Sequence, residues 1–145
     1  MFTSNKPIIQ IAYAVENIIF AAENWSKRFN IGPFYYNEHI EVADSRIDGI
    51  NKKFDHSSAY GWKENFMVEL ICDHSKVNVH ENGIHHIAWI AENFDRESEE
   101  LIKQDCKEVL FARAGDRNGM RFAWFDPGRD IGHLYEIYDN NESLK

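Results

Sequence analysis

Four polar residues interrupt short apolar segments of this chain: Gln10, Glu69, His86 and Glu136. A glutamate flanked by apolar residues on a core strand is costly unless it is paired, protonated or bound to a metal. One imidazole, one amide and two carboxylates are ligands that a divalent metal accepts. If the fold brings them together, the four residues therefore predict a mononuclear divalent-metal site.

The same four residues occupy matching positions of an internal repeat. Residues 10–17 align without gaps on residues 86–93, with the isoleucine, alanine, glutamate and asparagine identical. Residues 67–71 align in the same way on residues 134–138, which sets Glu69 opposite Glu136. Such self-similarity is the signature of two copies of one structural unit. The repeat explains why Gln10 matches His86 and why Glu69 matches Glu136.

Each copy has the pattern of a strand, a helix and three strands. Periodicity and turn residues predict strands at 8–15, 34–40, 54–62, 65–72, 83–91, 107–113, 120–125 and 132–138. Helices follow Asn17 and Asn93, which are suitable N-caps. The polar stretch 41–53, with a turn at Gly49, lengthens the first copy. We therefore predict one domain over residues 1–145, with module one at about 7–73 and module two at about 83–139.

Strand alternation indicates which side chains share a face. The four polar residues fall on the faces turned away from the helices. Ala12 follows Gln10 on its face and Ala88 follows His86, so these small residues leave room for a ligand and are predicted substrate contacts. His85, next to His86, is the competing ligand; its parity puts it on the helix side, and we interpret it as structural.

Composition limits the function classes. A formal charge of −8 argues against nucleic acid or an anionic membrane as partner. Cys72 and Cys106 lie far apart in the sequence, which argues against a disulfide framework. No N-terminal leader or membrane-length apolar segment is apparent. We therefore expect a cytoplasmic protein. Among the later basic residues, Arg121 is a candidate for holding a carboxylate or phosphate of a substrate, although an exposed strand arginine is an equal alternative.

Simpler interpretations of the four polar residues remain open at this point. A single strand histidine is more often a hydrogen-bonded core residue than a ligand. Each glutamate alone fits a salt bridge or a sheet edge, and the amide alone indicates nothing. The third possibility is a structural glutamate pair with no metal. Only their shared placement in the repeat favours a common site.

Residues 83–88 (GIHHIA) and 132–137 (GHLYEI) carry a family resemblance. From about Ile8 to Tyr138 the chain resembles the vicinal-oxygen-chelate superfamily, which includes glyoxalase I and methylmalonyl-CoA epimerase. The resemblance implies an α+β fold in which two tandem βαβββ modules form a curved mixed sheet around a central pocket. It also implies a metal held by Gln10, Glu69, His86 and Glu136, and a homodimer.

Several departures from the family narrow the expected substrate. At the positions where glyoxalase I binds the glutathione carboxylates, this chain has Ala14, Asn82 and Asp73. Lactoylglutathione is therefore a poor candidate. A single histidine among the four ligands also disfavours the oxygenase chemistry of the family, which needs two histidines and one carboxylate.

The resemblance implies an isomerase, epimerase or lyase. Its divalent metal (Zn, Ni, Co, Mn or Mg) would bind a carbonyl oxygen of a small organic substrate and stabilise an enolate. Glu136, or by symmetry Glu69, would remove the adjacent proton. The alternative is a protein of the same fold that binds a small molecule without turnover.

Overall fold

The computed structural model describes residues 7–80 and 83–140. In chain order the elements are β1 (Gln10–Ala14), α1 (Ile18–Phe29), β2 (Tyr35–Asn37), β3 (Val42–Ile47), β4 (Ile50–Asn51), β5 (His56–Lys63), β6 (Phe66–Asp73), β7 (Ile84–Ile90), α2 (Phe94–Lys103), β8 (Lys107–Ala114), β9 (Arg121–Asp126) and β10 (Leu134–Tyr138).

Both helices begin at the predicted asparagine caps. The side chain of Asn17 accepts a hydrogen bond from the backbone N–H of Phe20, at 2.9 Å. The side chain of Asn93 accepts one from Arg96, at 3.1 Å. These bonds satisfy N–H groups that have no partner within the helix. Asn30 ends α1 in the left-handed conformation, and its backbone N–H donates to the carbonyl of Ser26.

The strands form one mixed sheet of ten, in the order β2-β5-β6-β1-β7-β10-β9-β8-β3-β4. The two modules meet at its centre, where β1 and β7 pair antiparallel. Each first strand also pairs parallel to the last strand of its own module, β1 with β6 and β7 with β10. The four strands that bear the predicted ligands are therefore neighbours at the middle of the sheet.

The polar segment predicted as a loop forms the hairpin β3–β4, which belongs to module one but pairs with β8 of module two. Strands β2 and β3 thus lie near opposite ends of the sheet, although only residues 38–41 join them. In a flat sheet they would be about 38 Å apart, whereas so short a connection spans at most about 18 Å. The sheet must therefore curve until its two ends approach each other.

The core divides between the two faces of the curved sheet. On the convex side α1 packs over Val68 and Leu70, and α2 packs with a separate cluster around Phe125 and Ile137. On the concave side a third cluster includes Ala12, Phe54, Trp124 and Leu134. The ligand-bearing faces of the central strands turn toward this concave side.

The architecture confirms the predicted α+β fold with a curved mixed sheet and corrects one part of it. Module two is βαβββ as predicted, but module one carries two additional strands. β3 pairs with β8, which a local pattern cannot reveal, and β4 pairs with β3. Among the described residues, no helix is long and apolar enough to cross a membrane.

Candidate active site

The four predicted ligands converge on a single point, the Nε2 atom of His86. This atom lies 3.2 Å from Gln10 Oε1, 3.1 Å from Glu69 Oε2 and 2.9 Å from Glu136 Oε2. All four residues are at most 3% exposed. The cross-strand register explains the convergence, since Gln10 pairs with Ala88 and Ala12 with His86, so the two polar residues sit diagonally across two alanines.

Neighbouring groups orient the Gln10 amide. Its Nε2 donates to the sulfur of Met67, and its Oε1 accepts a hydrogen bond from the hydroxyl of Tyr138, at 3.1 Å. The amide oxygen, which is the atom a metal would take, therefore faces His86.

Each carboxylate has one oxygen held by a neutral donor. Ser58 donates to Glu69 Oε1 at 2.8 Å, and the indole N–H of Trp124 donates to Glu136 Oε2. Within residues 7–80 and 83–140, Glu69 Oε2 and Glu136 Oε1 are buried and accept no hydrogen bond. Buried acceptors without a donor are rare and call for a ligand or ion. Each glutamate therefore has one oxygen fixed by a neutral donor and one that accepts no hydrogen bond, and in Glu69 this second oxygen lies 3.1 Å from His86 Nε2.

Charge is unbalanced at this point of the structure. Burial opposes a charged imidazole, but attraction to Glu136 and Glu69 raises the pKa of His86 to about 10. Burial likewise opposes the Glu69 carboxylate, yet its contacts with His86 hold the pKa of Glu69 below its ordinary value. One imidazolium faces two carboxylates, and among the described residues these have no other ion-pair partner. A dication beside a neutral imidazole would balance the two negative charges.

The chemistry of the donor set fits a divalent metal. Ligands bound at 2.0–2.2 Å lie about 3 Å from their neighbours around the ion. The separations from His86 Nε2 to the three oxygens fall in this range. A single N–H group can satisfy only one of these oxygens well, whereas a cation can contact all of them. The four residues could therefore hold a metal through one nitrogen and three oxygens.

His85 does not occupy the predicted helix-facing side. The pairing of β1 with β7 passes from Ala12 opposite His86 to Tyr13 opposite Ile84, so His85 is the extra residue of a bulge. A bulge breaks the alternation of faces. The ring of His85 therefore packs against Trp124, with 4.6 Å between ring centroids, and its Nδ1 lies 2.8 Å from His86 Nδ1.

His85 also links His86 to a buried carboxylate. Its Nε2 lies 3.2 Å from Asp73 Oδ2, which accepts a further hydrogen bond from the backbone N–H of Asn78. Burial lowers the pKa of His85 despite this carboxylate. A neutral His85 that donates to Asp73 accepts at Nδ1 from His86. With a metal bound, this arrangement would present the unprotonated Nε2 of a neutral His86 to the ion.

A small pocket of about 80 Å³ opens onto the two glutamates. It is lined by Ile40, Val42, His56, Tyr60, Glu69, Ala114, Phe122, Trp124, Glu136 and Tyr138. The predicted substrate contacts Ala12 and Ala88 share the face of the site but are fully buried and do not line this pocket. These two small residues leave space for the side chains of Gln10 and His86, not for a ligand in the pocket.

Arg121 is not brought to the pocket. Its guanidinium group pairs with both oxygens of Asp139, at 2.9 and 3.0 Å, and with Asp95 at 2.8 Å. It also lies over the ring of Phe94 in α2, 4.6 Å from its centroid. Arg121 therefore faces the helix, because Phe122 and Trp124 take the pocket side of β9. The prediction that Arg121 holds a substrate anion is corrected on this ground.

Sequence reasoning missed several residues that build the pocket. Trp124 donates a hydrogen bond to Glu136, and Tyr138 donates one to Gln10. Trp124 and Tyr138 both lie on predicted strands, on the face that bears the predicted ligands. His56 is 5% exposed and stacks on Phe54, with 4.6 Å between ring centroids. Burial lowers the pKa of His56 although the glutamates oppose this. Its place on the predicted strand 54–62, on the same face as Phe54 and Tyr60, was the available signal. His133, in contrast, faces its own backbone at Leu134.

The fold corresponds to a known class of protein. A family model described as the Glyoxalase/Bleomycin resistance protein/Dioxygenase superfamily matches residues 9–124. The chain therefore belongs to this superfamily, and the resemblance found in the sequence is confirmed. No curated protein matches the chain significantly by sequence.

Solved structures share the fold at low sequence identity. The hypothetical protein BH1468 from Bacillus halodurans C-125 is 15% identical, with a TM-score of 0.63 and coverage of 95% of this chain and 96% of that one. A methylmalonyl-CoA epimerase in complex with methylmalonyl-CoA and NH4+ is 14% identical, with a TM-score of 0.58 and the same coverage. The epimerase from Mycobacterium tuberculosis is 13% identical, with a TM-score of 0.57 and coverage of 99% and 95%.

Proposed function

We propose that this protein is a divalent-metal-dependent isomerase, epimerase or lyase that removes a proton next to a carbonyl group of a small organic substrate. The observation that carries the proposal is the convergence of an amide, an imidazole and two carboxylates, all buried, on one point beside a pocket. The similarity to structures of methylmalonyl-CoA epimerases supports the reaction class by analogy of fold.

Gln10 Oε1, His86 Nε2 and the two glutamates, Glu69 and Glu136, would hold the ion. Three oxygen ligands and one nitrogen suit Zn, Ni, Co, Mn or Mg. When bound, the ion supplies a Lewis acid that polarises a carbonyl oxygen.

Glu136 is the better candidate for the general base. Its Oε2 is committed to Trp124 and approaches His86, whereas its Oε1 has no partner among the described residues and belongs to a side chain that lines the pocket. Glu69 is engaged at both ends, since Ser58 donates to Oε1 and Oε2 lies beside His86. A base needs a free lone pair within reach of the proton it accepts. Glu136 Oε1 meets this requirement, and Glu69 would act mainly as a ligand.

The pocket limits what can approach the base. A cavity of about 80 Å³ is well below the 300–1,000 Å³ typical of sites for drug-sized ligands, so it would receive only the reacting group of a larger substrate. Its apolar lining suits a short acyl chain. Glyoxalase I binds the glutathione carboxylates at the positions of Ala14, Asp73 and Asn82. Here Ala14 carries no charge and Asp73 contacts His85, so neither residue would bind a carboxylate. Asn82 lies outside the described residues. Small acyl thioesters are therefore preferred over lactoylglutathione.

Metal content per chain is the first test. Tag-free wild type is expected to hold one more equivalent of divalent metal than the His86→Ala/Glu136→Ala double variant, measured by elemental analysis. His80→Ala/Asp126→Asn is the matched control, because these residues form a histidine–carboxylate pair at 2.9 Å elsewhere in the chain. The control should keep the wild-type metal content. Equal content in wild type and double variant, after incubation with Zn, Ni, Co or Mn, would overturn the proposed site.

Turnover is tested by proton exchange. Wild type loaded with metal should catalyse solvent deuterium incorporation next to the carbonyl of at least one compound in a panel of small acyl-CoA thioesters and 2-oxo compounds, followed by NMR. Tight binding of a panel compound without exchange would favour the alternative, a protein that sequesters its ligand.

We also expect a homodimer in the cytoplasm. Exposed apolar side chains on α1 and β2, namely Ile19, Phe20 and Tyr35 at 60%, 66% and 63% exposure, offer a surface for association. Light scattering of the purified protein measures the oligomeric state; a strictly monomeric mass would contradict it.

A further inference from the structure

A second group of metal-ligating side chains lies in module one, apart from the site described above. His39 lies between β2 and β3, Asp55 precedes β5, and His74 follows β6. One ligand atom from each of the three residues lies within 4.8 Å of those of the other two. None of the three lines the pocket beside Glu69 and Glu136. The cluster is therefore independent of the proposed active site.

The backbone around this cluster is held by a buried serine. Ser57 is 3% exposed, and its hydroxyl oxygen accepts a hydrogen bond from the backbone N–H of His39, at 2.9 Å. The same oxygen lies 2.8 Å from His74 Nε2. The backbone N–H of Asp55 donates to the hydroxyl of Ser75, at 2.9 Å. Three separate chain segments are thus fixed relative to one another before any ligand binds.

The conformation of His39 is unfavourable for an ordinary residue. Its φ of 43° is in the left-handed region, which is unfavourable for a residue with a side chain. Its Nδ1 lies 2.8 and 3.1 Å from the two oxygens of Asp55. Its ring stacks on that of His74, with centroids 4.7 Å apart and an interplanar angle of 27°. Such outliers are retained where the surrounding structure uses the resulting geometry.

We propose that His39, Asp55 and His74 bind a second divalent transition-metal ion. Two imidazoles and one carboxylate select Zn²⁺, Ni²⁺, Co²⁺ or Cu²⁺ over Mg²⁺ and Ca²⁺, which prefer oxygen ligands alone. The three protein ligands leave further coordination positions open. His39 and His74 also line an open cleft of about 270 Å³, together with Glu16, Glu38 and Cys72. The open positions would therefore face a space that admits water.

The test separates this site from the first. In the tag-free His86→Ala/Glu136→Ala background, calorimetric titration with Zn²⁺ should give one equivalent of binding. Adding His39→Ala or His74→Ala should abolish that equivalent, and Asp55→Asn should weaken it at least tenfold. His80→Ala is the matched control, because His80 pairs with a single carboxylate, Asp126, and should leave the stoichiometry unchanged.

NMR of the wild-type chain gives a second readout that does not depend on the double variant. On addition of Zn²⁺, the imidazole nitrogens of His39 and His74 should shift together at one equivalent beyond that taken by the first site. All three ligands are partly or fully exposed, so the single variants should fold as the wild type does. Zinc binding that persists in both His39→Ala and His74→Ala, or no imidazole shift at either residue, would overturn the proposal.

Discussion

The two modules repeat one another at the centre of the sheet and differ at its edges. Gln10 and His86 face each other diagonally through the alanines Ala12 and Ala88, and each module adds one glutamate from its last strand. This core of the repeat is nearly symmetric. At the edges, module one extends β3 and β4 onto β8, and module two has no counterpart of this hairpin.

The difference shows how a symmetric scaffold gains an asymmetric site. The connection and hairpin of module one bring Ile40 and Val42 over the pocket, whose opposite wall includes Phe122 and Trp124 of module two. The two glutamates also differ in their neighbours, since Ser58 holds one and Trp124 holds the other. Repetition thus supplies the four proposed ligands, and departures from repetition would give the two glutamates separate roles.

The largest expected effect is a difference in proton-exchange rate between variants of the two glutamates, Glu69 and Glu136. Glu136→Gln should lower proton exchange on the substrate by about 10²–10⁴-fold, the contribution typical of a general base. Glu69→Gln should cost less in rate, because Glu69 serves mainly as a ligand. Deuterium incorporation by NMR under metal saturation measures both variants, and equal losses would mean that the two carboxylates share the role of base.

The convex cores of the two modules provide the next comparison. Leu70 and Ile137 are fully buried at equivalent repeat positions, under α1 and α2 respectively. Truncation of such residues to alanine costs about 2–5 kcal/mol, depending on how well the neighbours collapse into the cavity. The cluster that contains Leu70 has more partly buried members, among them Trp25 and Phe34, than the cluster that contains Ile137, and partly buried side chains can shift into a cavity more easily. We therefore expect about 3 kcal/mol for Leu70→Ala and about 4 kcal/mol for Ile137→Ala.

Urea unfolding of both variants under identical conditions tests this order. Unchanged m-values would show that the comparison concerns stability alone. A larger loss for Leu70→Ala than for Ile137→Ala would contradict the view that the core under α1 adapts more easily.

The sequence predicted the symmetric part of the molecule well. Alternation along β1, β6, β7 and β10 identifies the faces of Gln10, Glu69, His86 and Glu136, and the repeat pairs them. Side-chain period in a strand is a local property, so it is readable without knowledge of the partners. The asparagine caps are local for the same reason.

The asymmetric part was not predictable because it depends on distant pairing. Val42 and Ile47 become strand residues through β8, although their partners Ala114 and Leu110 lie 72 and 63 residues further along the chain. His85 changes face through a bulge whose position is set by the register of β1 against β7. Arg121 appeared as a possible anion site because neither Asp95 nor Asp139 is near it in sequence. Long-range pairing overrides local pattern in each case.

Asp139 and Cys72 occupy the same repeat position and make different interactions. Cys72 donates to the backbone carbonyl of Val15, at 2.9 Å, whereas Asp139 is a buried partner of Arg121. Burial opposes the charge of Asp139, yet its hydrogen bonds with Arg121 hold the pKa of Asp139 below its ordinary value. A carboxyl with a lowered pKa stabilises the fold above the pKa it has in the unfolded chain. That stability is lost as the pH falls below about 4 and through the folded-state pKa.

Asp139→Asn should therefore lower stability at pH 7 by about 2 kcal/mol, the scale of hydrogen bonds to a charged group. The variant should also show a shallower loss of stability between pH 5 and pH 2 than the wild type, because it lacks this titrating group. Thermal unfolding across that range measures both effects. Parallel pH curves for the two proteins would exclude Asp139 as a source of acid sensitivity.

The smallest expected effect concerns the two helix caps, Asn17 and Asn93, which are also repeat equivalents. Replacement of an asparagine N-cap by alanine costs about 1 kcal/mol. In α2 the backbone N–H of Asn93 additionally donates to Glu97 Oε2, at 3.0 Å, and this reciprocal bond helps to fix the start of the helix. The first turn of α2 carries Asp95 and Glu97, whereas that of α1 carries no acidic residue. Acidic groups there favour the helix dipole without the cap. Asn17→Ala should thus lower the free energy of unfolding slightly more than Asn93→Ala does. Chemical unfolding of the two variants measures both losses, and an equal or larger loss for Asn93→Ala would contradict the prediction that α1 depends more on its cap.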